Sequence, residues 1–382
     1  MKRNPMQALI LIALVVVCVA TVLFGAAGEM AQEKPPTDAQ AQSALRTCVD
    51  QQRRAPGIVV GLVDVHGTRV FARGVRENGK IGDVQADTVF EIGSITKVFT
   101  AILLQDMADR GEVKLDDPID KILPASVKTP SRSGRQITLL DLATQTSGLP
   151  RMPDNFAPAN DANPYADYTV ERLYDFLSHY QLTREIGAEY EYSNLGGGLL
   201  GHLLALRAGT NYEALVIGRI CNPLHLDSTR ITLSPGLKSR LATGHNRFGM
   251  PVSNWDLPTL AGAGALRSTA SDLLVFVAAN LGLTNCSLSH AMMQTHLPRH
   301  STGAIGKIGL MWQIDAAHET LWHNGGTGGY HSYIGFKMAK RRGVVVLANS
   351  QNDFDDMGRY LLGDRADVKD FTPPKAQEPG AK

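Results

Sequence analysis

Residues 89–110 read VFEIGSITKVFTAILLQDMADR, a segment around which the remainder of the chain can be arranged. Apolar side chains recur in it at the three- and four-residue spacing of one helix face, at Ile95, Val98, Phe99, Ile102, Leu103 and Met107. Ala101 and Leu104 cover the remaining sides. The pattern therefore predicts a helix from Val98 onward that is buried nearly all round.

Ser94 and Lys97 stand at the beginning of this helix, and Gly93 comes directly before the serine. Their three-residue spacing puts both side chains on one side of the helix, with Cβ atoms about 5–6 Å apart. Ser-x-x-Lys is expected about once by chance in a chain of this length, and a serine at a helix start often only caps a backbone N–H. The buried setting favours a catalytic role for Ser94 and Lys97, because an amine that loses hydration shifts toward its neutral, proton-accepting form.

The composition describes a folded protein of nearly balanced charge. Its 382 residues are 43% hydrophobic and 20% charged, with a formal net charge of +1. This length supports one large domain or two closely joined lobes. No basic block stands out beyond ordinary surface charges, so nucleic acid is not expected as a partner.

The N-terminus has the pattern of an export signal. Lys2 and Arg3 precede an apolar run over 8–27 that ends in small residues. Residues 1–28 are therefore predicted to be a signal peptide cleaved after Ala27, or a membrane anchor, since about 20 apolar residues suffice to span a bilayer. Both interpretations place the globular part in the periplasm or another extracytoplasmic compartment, and the second ties it to the cytoplasmic membrane.

Strand patterns lie at both ends of the remaining chain, and helical patterns fill its middle. A polar tether is predicted over 29–42, a globular domain over 43–363 and a disordered tail over 364–382. Strands are predicted at 57–65, 69–74, 309–314, 319–323, 330–337 and 343–349. Further helices are predicted at 41–52, 137–146, 170–180, 199–207, 211–220, from a cap at Thr269 to Leu281, and at 353–362.

These patterns predict an α+β fold. The two groups of strands can bury their apolar faces by joining one antiparallel sheet flanked by helices. The central helices then form a mostly helical second lobe. A cleft between the lobes is the expected place for a small-molecule site.

Cysteine and histidine patterns predict neither a metal site nor a cofactor. The cysteines outside the N-terminal run can form at most one bridge, of which Cys221 with Cys286 is one possibility. His318 and His323 are separated by five residues in a strand-like segment, so they lack the i, i+4 helical spacing of a zinc protease.

Two further segments carry polar groups that suit Ser94 and Lys97 as partners. Tyr192-Ser193-Asn194 offers a phenol that can transfer a proton and an amide that can hold a substrate carbonyl. His323-Asn324-Gly325-Gly326 ends a strand in a glycine-rich turn, where exposed N–H groups can hold a developing oxyanion. A surface turn and a hairpin turn are the alternative interpretations. A long loop over 151–168 is a further functional candidate.

Three motifs carry a family resemblance when they are taken in order: Ser94-Ile-Thr-Lys97, Tyr192-Ser-Asn194 and His323-Asn-Gly325. Over about 45–362 the chain resembles the class C β-lactamase and D-alanyl-D-alanine peptidase family of serine hydrolases. The resemblance implies a β-lactamase/transpeptidase-like fold and a covalent acyl-enzyme. It implies Ser94 as nucleophile, Lys97 as its activator, Tyr192 as proton shuttle, Asn194, His323, Asn324 and Gly325 as substrate-binding residues, and the N–H groups of Ser94 and Gly326 as the oxyanion hole.

The sequence departs from the lactamase pattern at His323, where that pattern has lysine. An unperturbed imidazole is mostly neutral at pH 7, so it holds a substrate carboxylate less firmly than an ammonium does. The departure predicts weak hydrolysis of penicillins and cephalosporins. The expected substrates are β-lactams, peptidoglycan stem peptides of the D-Ala type, or short esters. The alternative function is a penicillin-sensing or peptidoglycan-binding protein of the same fold, which is acylated once or not at all.

Overall fold

One antiparallel sheet joins the two ends of the described chain, which comprises residues 36–77, 79, 82–303 and 306–365 of a computed structural model. The strands are β1 (Gly57–Asp64), β2 (Gly67–Gly74), β3 (Phe90–Glu91), β4 (Ser131–Arg132), β5 (Arg135–Gln136), β6 (Gly244–His245), β7 (Pro251–Val252), β8 (Arg267–Ser268), β9 (His300–Ser301), β10 (Lys307–Ile308), β11 (Gln313–Asp315), β12 (Thr320–Gly326), β13 (His331–Lys337) and β14 (Arg342–Ala348). The large sheet has the order β2-β1-β14-β13-β12-β11-β10-β9, while β3 pairs with β8, β4 with β5, and β6 with β7.

Helices are the main regular elements between β3 and β9, and in the described chain one more helix precedes β1 and another follows β14. They are α1 (Asp38–Arg46), α2 (Thr96–Asp109), α3 (Leu139–Ala143), α4 (Val170–His179), α5 (Asn194–Ala208), α6 (Tyr212–Val216), α7 (Asn222–Leu224), α8 (Pro235–Lys238), α9 (Ala261–Gly264), α10 (Ala270–Asn280), α11 (Ser289–Thr295) and α12 (Asp355–Leu362). Within the described ranges, none of them is long and apolar enough to cross a membrane. The predicted signal or anchor over 1–28 lies outside the described residues, as does the predicted tail from 366 onward.

The two ends of the chain meet in the pairing of β1 with β14, in which Ile58 lies opposite Ala348. Both strands are almost wholly buried because helices cover both faces of the sheet. Residues that alternate along β1 enter different cores: Val60 packs with α1 and α12, and Val59 packs in the larger core that contains α2 and α10. The predicted α+β fold, with one sheet built from terminal strands, is confirmed.

Helix α2 is buried nearly all round, as its sequence predicts: every residue from Thr96 to Met107 is buried. Phe99 stacks on Phe276 of α10, with the ring centroids 4.2 Å apart. The helix begins two residues earlier than predicted because a 3-10 turn over Gly93–Ile95 leads directly into it. This buried helix is the rigid support on which Ser94 and Lys97 are held.

Two predicted boundaries are wrong because side chains cap the helices earlier than the apolar pattern indicates. Helix α1 begins at Asp38, inside the predicted tether 29–42, since Thr37 and Gln40 form a reciprocal capping box. Helix α5 begins at Asn194 and not at 199, since the Ser193 hydroxyl accepts the N–H of Gly196 at 2.8 Å. The second correction places Asn194 in the first turn of a helix.

Left-handed residues shorten other predicted elements. Helix α3 covers only the middle of the predicted 137–146, because Gln145 has a φ of 60°. Of the predicted strand 309–314 only the last two residues lie in a strand, β11, because Met311 interrupts the extended chain with a φ of 59° and β10 ends at Ile308. Cys48, Cys221 and Cys286 are free thiols, so the bridge between Cys221 and Cys286 does not form.

Candidate active site

Ser94 lies where the short strand β3 turns into α2. Gly93 makes the turn with a φ of 47°, a left-handed conformation that favours glycine. A Cβ atom at Gly93 would lie 2.9 Å from the backbone nitrogen of Gly326, so the start of α2 and the end of β12 approach closely. Ser94 and Gly326 border the same cleft, together with Asn194 and Thr327.

Lys97 is fully buried and has three polar contacts. Its Nζ lies 2.9 Å from Ser94 Oγ, 2.9 Å from Asn194 Oδ1 and 2.7 Å from the carbonyl oxygen of Ala263. Burial, followed by the positive charge of Arg151, holds the pKa of the amine well below its ordinary value. A neutral amine donates two hydrogen bonds and accepts one. With its protons donated to the two carbonyl oxygens, a neutral Lys97 can accept the proton of the Ser94 hydroxyl at the third contact.

Tyr192 covers Lys97 and Ser94 from the side of α5. The Lys97 Nζ lies 4.8 Å from the centroid of the phenol ring. Burial raises the pKa of the phenol, and its hydrogen bond with the Ser94 side chain acts in the opposite direction. The phenol therefore stays protonated at neutral pH and can pass a proton only while it receives another.

Asn194 is oriented by contacts at both ends of its amide. Its Oδ1 accepts from Lys97, and its Nδ2 donates to the Tyr165 hydroxyl at 3.2 Å. Its backbone N–H donates to the carbonyl of Arg151 at 3.0 Å. Since the lysine fixes which end is oxygen, the NH2 group points to the Tyr165 side of the cleft, where it can donate to a substrate carbonyl.

His323 is only 2% exposed and lies next to Tyr192, with the ring centroids 6.2 Å apart. Burial, together with the nearby Lys97, lowers the pKa of the imidazole to about 3. Its Nδ1 lies 2.6 Å from the carbonyl of Asn324, so Nδ1 carries the proton and Nε2 is an acceptor. The third motif thus presents a neutral ring at physiological pH.

Asn324 does not lie with the other predicted site residues. Its side chain donates to Asp355 Oδ2 of α12 at 2.7 Å. Successive side chains of a strand point to opposite faces, so Asn324 leaves the face that His323 and Gly325 share. The prediction that its side chain binds substrate is wrong, because the amide fastens β12 to α12 instead.

A group of possible metal ligands lies on this same far face. His331, Asp353 and Asp355 each place one ligand atom within 4.8 Å of the others. One oxygen of each carboxylate has a protein partner: Asp353 Oδ1 accepts the N–H of Asp355 at 2.7 Å, and Asp355 Oδ2 accepts from Asn324. Asp355 Oδ1 is buried without a hydrogen-bond partner among the described residues. The group does not border the cleft at Ser94.

Gly325 is the position at which β12 comes nearest to Ser94. A Cβ atom there would lie 2.1 Å from the carbonyl oxygen of Ile92 and 2.9 Å from the backbone nitrogen of Ser94. Gly325 therefore does not bind substrate with a side chain. Its missing side chain lets the strand approach the nucleophile.

We expect Gly325→Ala to lower the free energy of unfolding by about 1–3 kcal/mol, because the added methyl overpacks a backbone contact. It should also lower kcat by moving β12 away from Ser94. Thermal unfolding and ester hydrolysis measure the two effects. Gly326→Ala is the matched control for stability, since a Cβ atom there would meet nothing within 4 Å. Equal unfolding temperatures for the two variants would contradict the close approach.

Three side chains in or near the cleft lie outside the sequence motifs. Arg151 and Tyr165 belong to the long loop 151–168, whose length alone indicated a function. Trp255 comes from a segment without any signal. Tyr165 and Trp255 form one wall, with ring centroids 5.5 Å apart, and both border the cleft beside Ser94. The guanidinium of Arg151 lies 5.1 Å from the centroid of the Tyr192 ring.

An α+β fold with a buried lysine beside a serine at the start of a core helix is that of a serine hydrolase. Comparisons with known proteins give the particular family. The Beta-lactamase family matches residues 41–366, so the chain belongs to the β-lactamase family. The predicted family, fold and enzyme class are confirmed.

Individual relatives match most of the chain. D-alanyl-D-alanine-carboxypeptidase/endopeptidase AmpH of Escherichia coli K12 is 31% identical over 339 residues, which cover 81% of this chain and 86% of that protein. A Beta-lactamase of Pseudomonas fluorescens is 27% identical, with 78% and 90% covered. The crystal structure of a β-lactamase/D-alanine carboxypeptidase from Yersinia pestis, complexed with citrate, matches with a TM-score of 0.76 at 26% identity, over 86% of this chain and 98% of that one.

Proposed function

We propose that this protein is an exported serine hydrolase that cleaves an amide or ester through an acyl-enzyme on Ser94. The observation that carries the proposal is the 2.9 Å contact between Ser94 Oγ and the fully buried Nζ of Lys97. A buried amine with a lowered pKa is a proton acceptor, and a serine hydroxyl is a useful nucleophile only beside such a group.

The reaction has two steps that use the same groups. Ser94 Oγ attacks the substrate carbonyl while Lys97 takes the hydroxyl proton, and the N–H groups of Ser94 and Gly326 stabilise the oxyanion. Tyr192 passes a proton to the leaving amine or alcohol and is reprotonated from Lys97. Water then attacks the ester of Ser94 and gives one proton to the base, which returns it to Ser94 Oγ as the bond breaks and the acid is released.

The relatives and the third motif support the proposed substrate class. Relatives carry the names D-alanyl-D-alanine-carboxypeptidase/endopeptidase and Beta-lactamase, which support D-Ala-type peptides and β-lactams as candidates. Short esters are a third candidate, because the same acyl-enzyme chemistry cleaves them. The neutral His323 favours substrates that do not need an ammonium at this position. The N-terminal pattern of Lys2, Arg3 and the apolar run supports export, with a membrane anchor as the alternative outcome of cell fractionation.

Time courses with three substrates test the proposal: nitrocefin, a D-Ala-D-Ala peptide and a p-nitrophenyl ester. A hydrolase gives steady turnover of at least one of them. A single burst equal to the enzyme concentration indicates the alternative, a penicillin-sensing protein. No turnover and no covalent adduct on Ser94 would contradict both and favour a peptidoglycan-binding module.

We expect His323→Lys to raise kcat/KM for carboxylate-bearing β-lactams relative to a neutral ester by about tenfold, the scale of one charge-assisted hydrogen bond. The added ammonium should also lower the pKa of Lys97 further, so the acid limb of the pH profile moves to lower pH. His323→Gln, which stays neutral, is the control. An unchanged substrate preference in His323→Lys would count against a carboxylate-binding role for this position.

A further inference from the structure

We propose that Arg151 is a specificity residue that binds a carboxylate on the acyl half of the substrate. The proposal rests on the proposed Ser94 hydrolase and goes beyond it by naming a charge that the preferred substrate carries. Four observations lead to it: the anchored backbone of Arg151, its place over Tyr192, its lack of an acidic partner, and the neutrality of the other nitrogen groups in the cleft.

The backbone of Arg151 is fixed relative to the catalytic groups. Its carbonyl accepts the N–H groups of Asn194 at 3.0 Å and Leu195 at 3.1 Å, the first two residues of α5. Asn194 in turn contacts Lys97 through its side chain. Arg151 therefore begins the loop 151–168 at a defined distance from Ser94, and any group that it binds is positioned against the scissile carbonyl.

The guanidinium lies over the outer face of the catalytic phenol, 5.1 Å from the Tyr192 ring centroid. Stacking on an aromatic ring holds a flexible side chain in one place and leaves its N–H edge free to donate. The Lys97 Nζ lies 4.8 Å from the centroid of the same ring. The phenol is thus contacted by the catalytic amine and by an exposed cation.

Arg151 differs from the arginines around it in having no acidic partner. Arg135 pairs with Asp141, Arg172 with Asp167, and Arg184 with Glu191. No carboxylate among the described residues lies within ion-pair distance of Arg151. Its charge therefore stays available to a ligand beside Tyr192, because a charge kept only for the fold or for solubility would gain from the pairing that its neighbours have.

The remaining nitrogen groups of the cleft are neutral when the enzyme is ready to react. Lys97 must be an amine to accept the proton of Ser94, and His323 has a pKa of about 3. The guanidinium of Arg151 supplies the positive charge beside Tyr192. Its planar fork matches the two oxygens of a carboxylate. Asn194 is placed to bind the acyl carbonyl group, and Arg151 lies next to it, which puts the carboxylate on the acyl half.

A pair of esters that differ in one group tests this assignment. The mono-p-nitrophenyl ester of glutaric acid and p-nitrophenyl pentanoate share the leaving group and a five-carbon acyl chain, but only the first ends in a carboxylate. Loss of the Arg151 charge should also raise the pKa of Lys97. Both esters are therefore compared on the plateau above the acid limb, after subtraction of spontaneous hydrolysis.

Arg151→Gln should lower the ratio of kcat/KM for the anionic ester over the neutral ester about tenfold, chiefly through KM. Arg151→Lys should retain part of the ratio, because lysine keeps the positive charge but lacks the planar guanidinium that binds both carboxylate oxygens. Arg207→Gln is the matched control: it removes the same charge from the exposed far end of α5, about 20 Å away, and should leave the ratio unchanged.

The outcomes distinguish a failure of the Arg151 proposal from a failure of the proposed Ser94 hydrolase. If Arg151→Gln leaves the ratio of kcat/KM for the two esters unchanged, including by an equal fall in both values, the role of Arg151 is overturned. Steady turnover of either ester by the wild-type protein would still support the Ser94 hydrolase. If the wild-type protein hydrolyses neither ester and Ser94 forms no adduct, the proposed function itself fails. A ratio that falls in Arg207→Gln as strongly as in Arg151→Gln would show a general charge effect and also overturn the proposal.

Discussion

Ser94→Ala should abolish turnover of every substrate that the wild-type protein cleaves and should form no covalent adduct. We expect kcat/KM to fall by at least about 10⁴-fold, since removal of a nucleophile leaves only the oxyanion hole and substrate binding. The fold should persist, because the Ser94 hydroxyl contacts only the neighbouring Lys97 and Tyr192. Ester hydrolysis and mass spectrometry of the Ser94 peptide, after incubation with a penicillin, measure the two effects.

The control for this variant is another serine that lies outside the cleft. Ser271 is exposed at the start of α10, and its hydroxyl donates to the carbonyl of Ala86 at 3.1 Å. Ser271→Ala should keep wild-type activity and adduct formation. Activity above about one tenth of wild type in Ser94→Ala would refute the assignment of the nucleophile, given the size of the expected loss.

Lys97→Met should lower kcat/KM by at least about 10³-fold, because the base that takes the serine proton is lost while the length of the side chain is kept. Lys97→Arg should lose as much, because a guanidinium cannot accept a proton. In the wild-type protein, activity depends on the neutral amine, so kcat/KM should decline as pH falls through the lowered pKa of Lys97. A wild-type acid limb that is unchanged in either variant would show that another group is the base.

Lys97→Met should increase the stability of the fold, although it lowers activity. The folded state lowers the pKa of Lys97, and in the unfolded chain the pKa is about 10.4, so the unfolded state binds the proton more tightly. Wild-type stability is therefore lost as pH decreases below about 10 and down to the folded-state pKa. Lys97→Met lacks this cost and should unfold at a higher temperature than wild type at pH 7. Thermal denaturation at pH 7 and pH 10 distinguishes a catalytic loss from a folding defect. The rise in unfolding temperature of Lys97→Met over wild type should be smaller at pH 10 than at pH 7.

The sequence predicted those parts of the site whose geometry is local. Ser94 and Lys97 share one helical turn, and Gly325 and Gly326 end a strand, so spacing alone placed each pair correctly. The sequence motif grouped Asn324 with His323 and Gly325. In a strand, however, successive side chains point to opposite faces, so Asn324 faces away from the site.

The partners that cross between elements were not predictable in the same way. Tyr165 and Trp255 meet only after the loop 151–168 folds against the segment before α9, and no residue pattern encodes that contact. Arg151 was noticed only as the first residue of a long loop. Its role depends on Asn194 being in a helix, and the run Gly196-Gly197-Gly198 concealed the start of that helix, since glycine disfavours helices.

The pairing of β1 with β14 has a consequence for how the molecule is made. Ile58 and Ala348 are neighbours in the sheet, although about 290 residues of chain separate them. A growing polypeptide cannot complete this sheet until nearly all of it has left the ribosome, and distant pairing of this kind slows folding. The hydrolytic centre also needs β12, which brings Gly326 to the turn before Ser94, so we expect it to be among the last features that form.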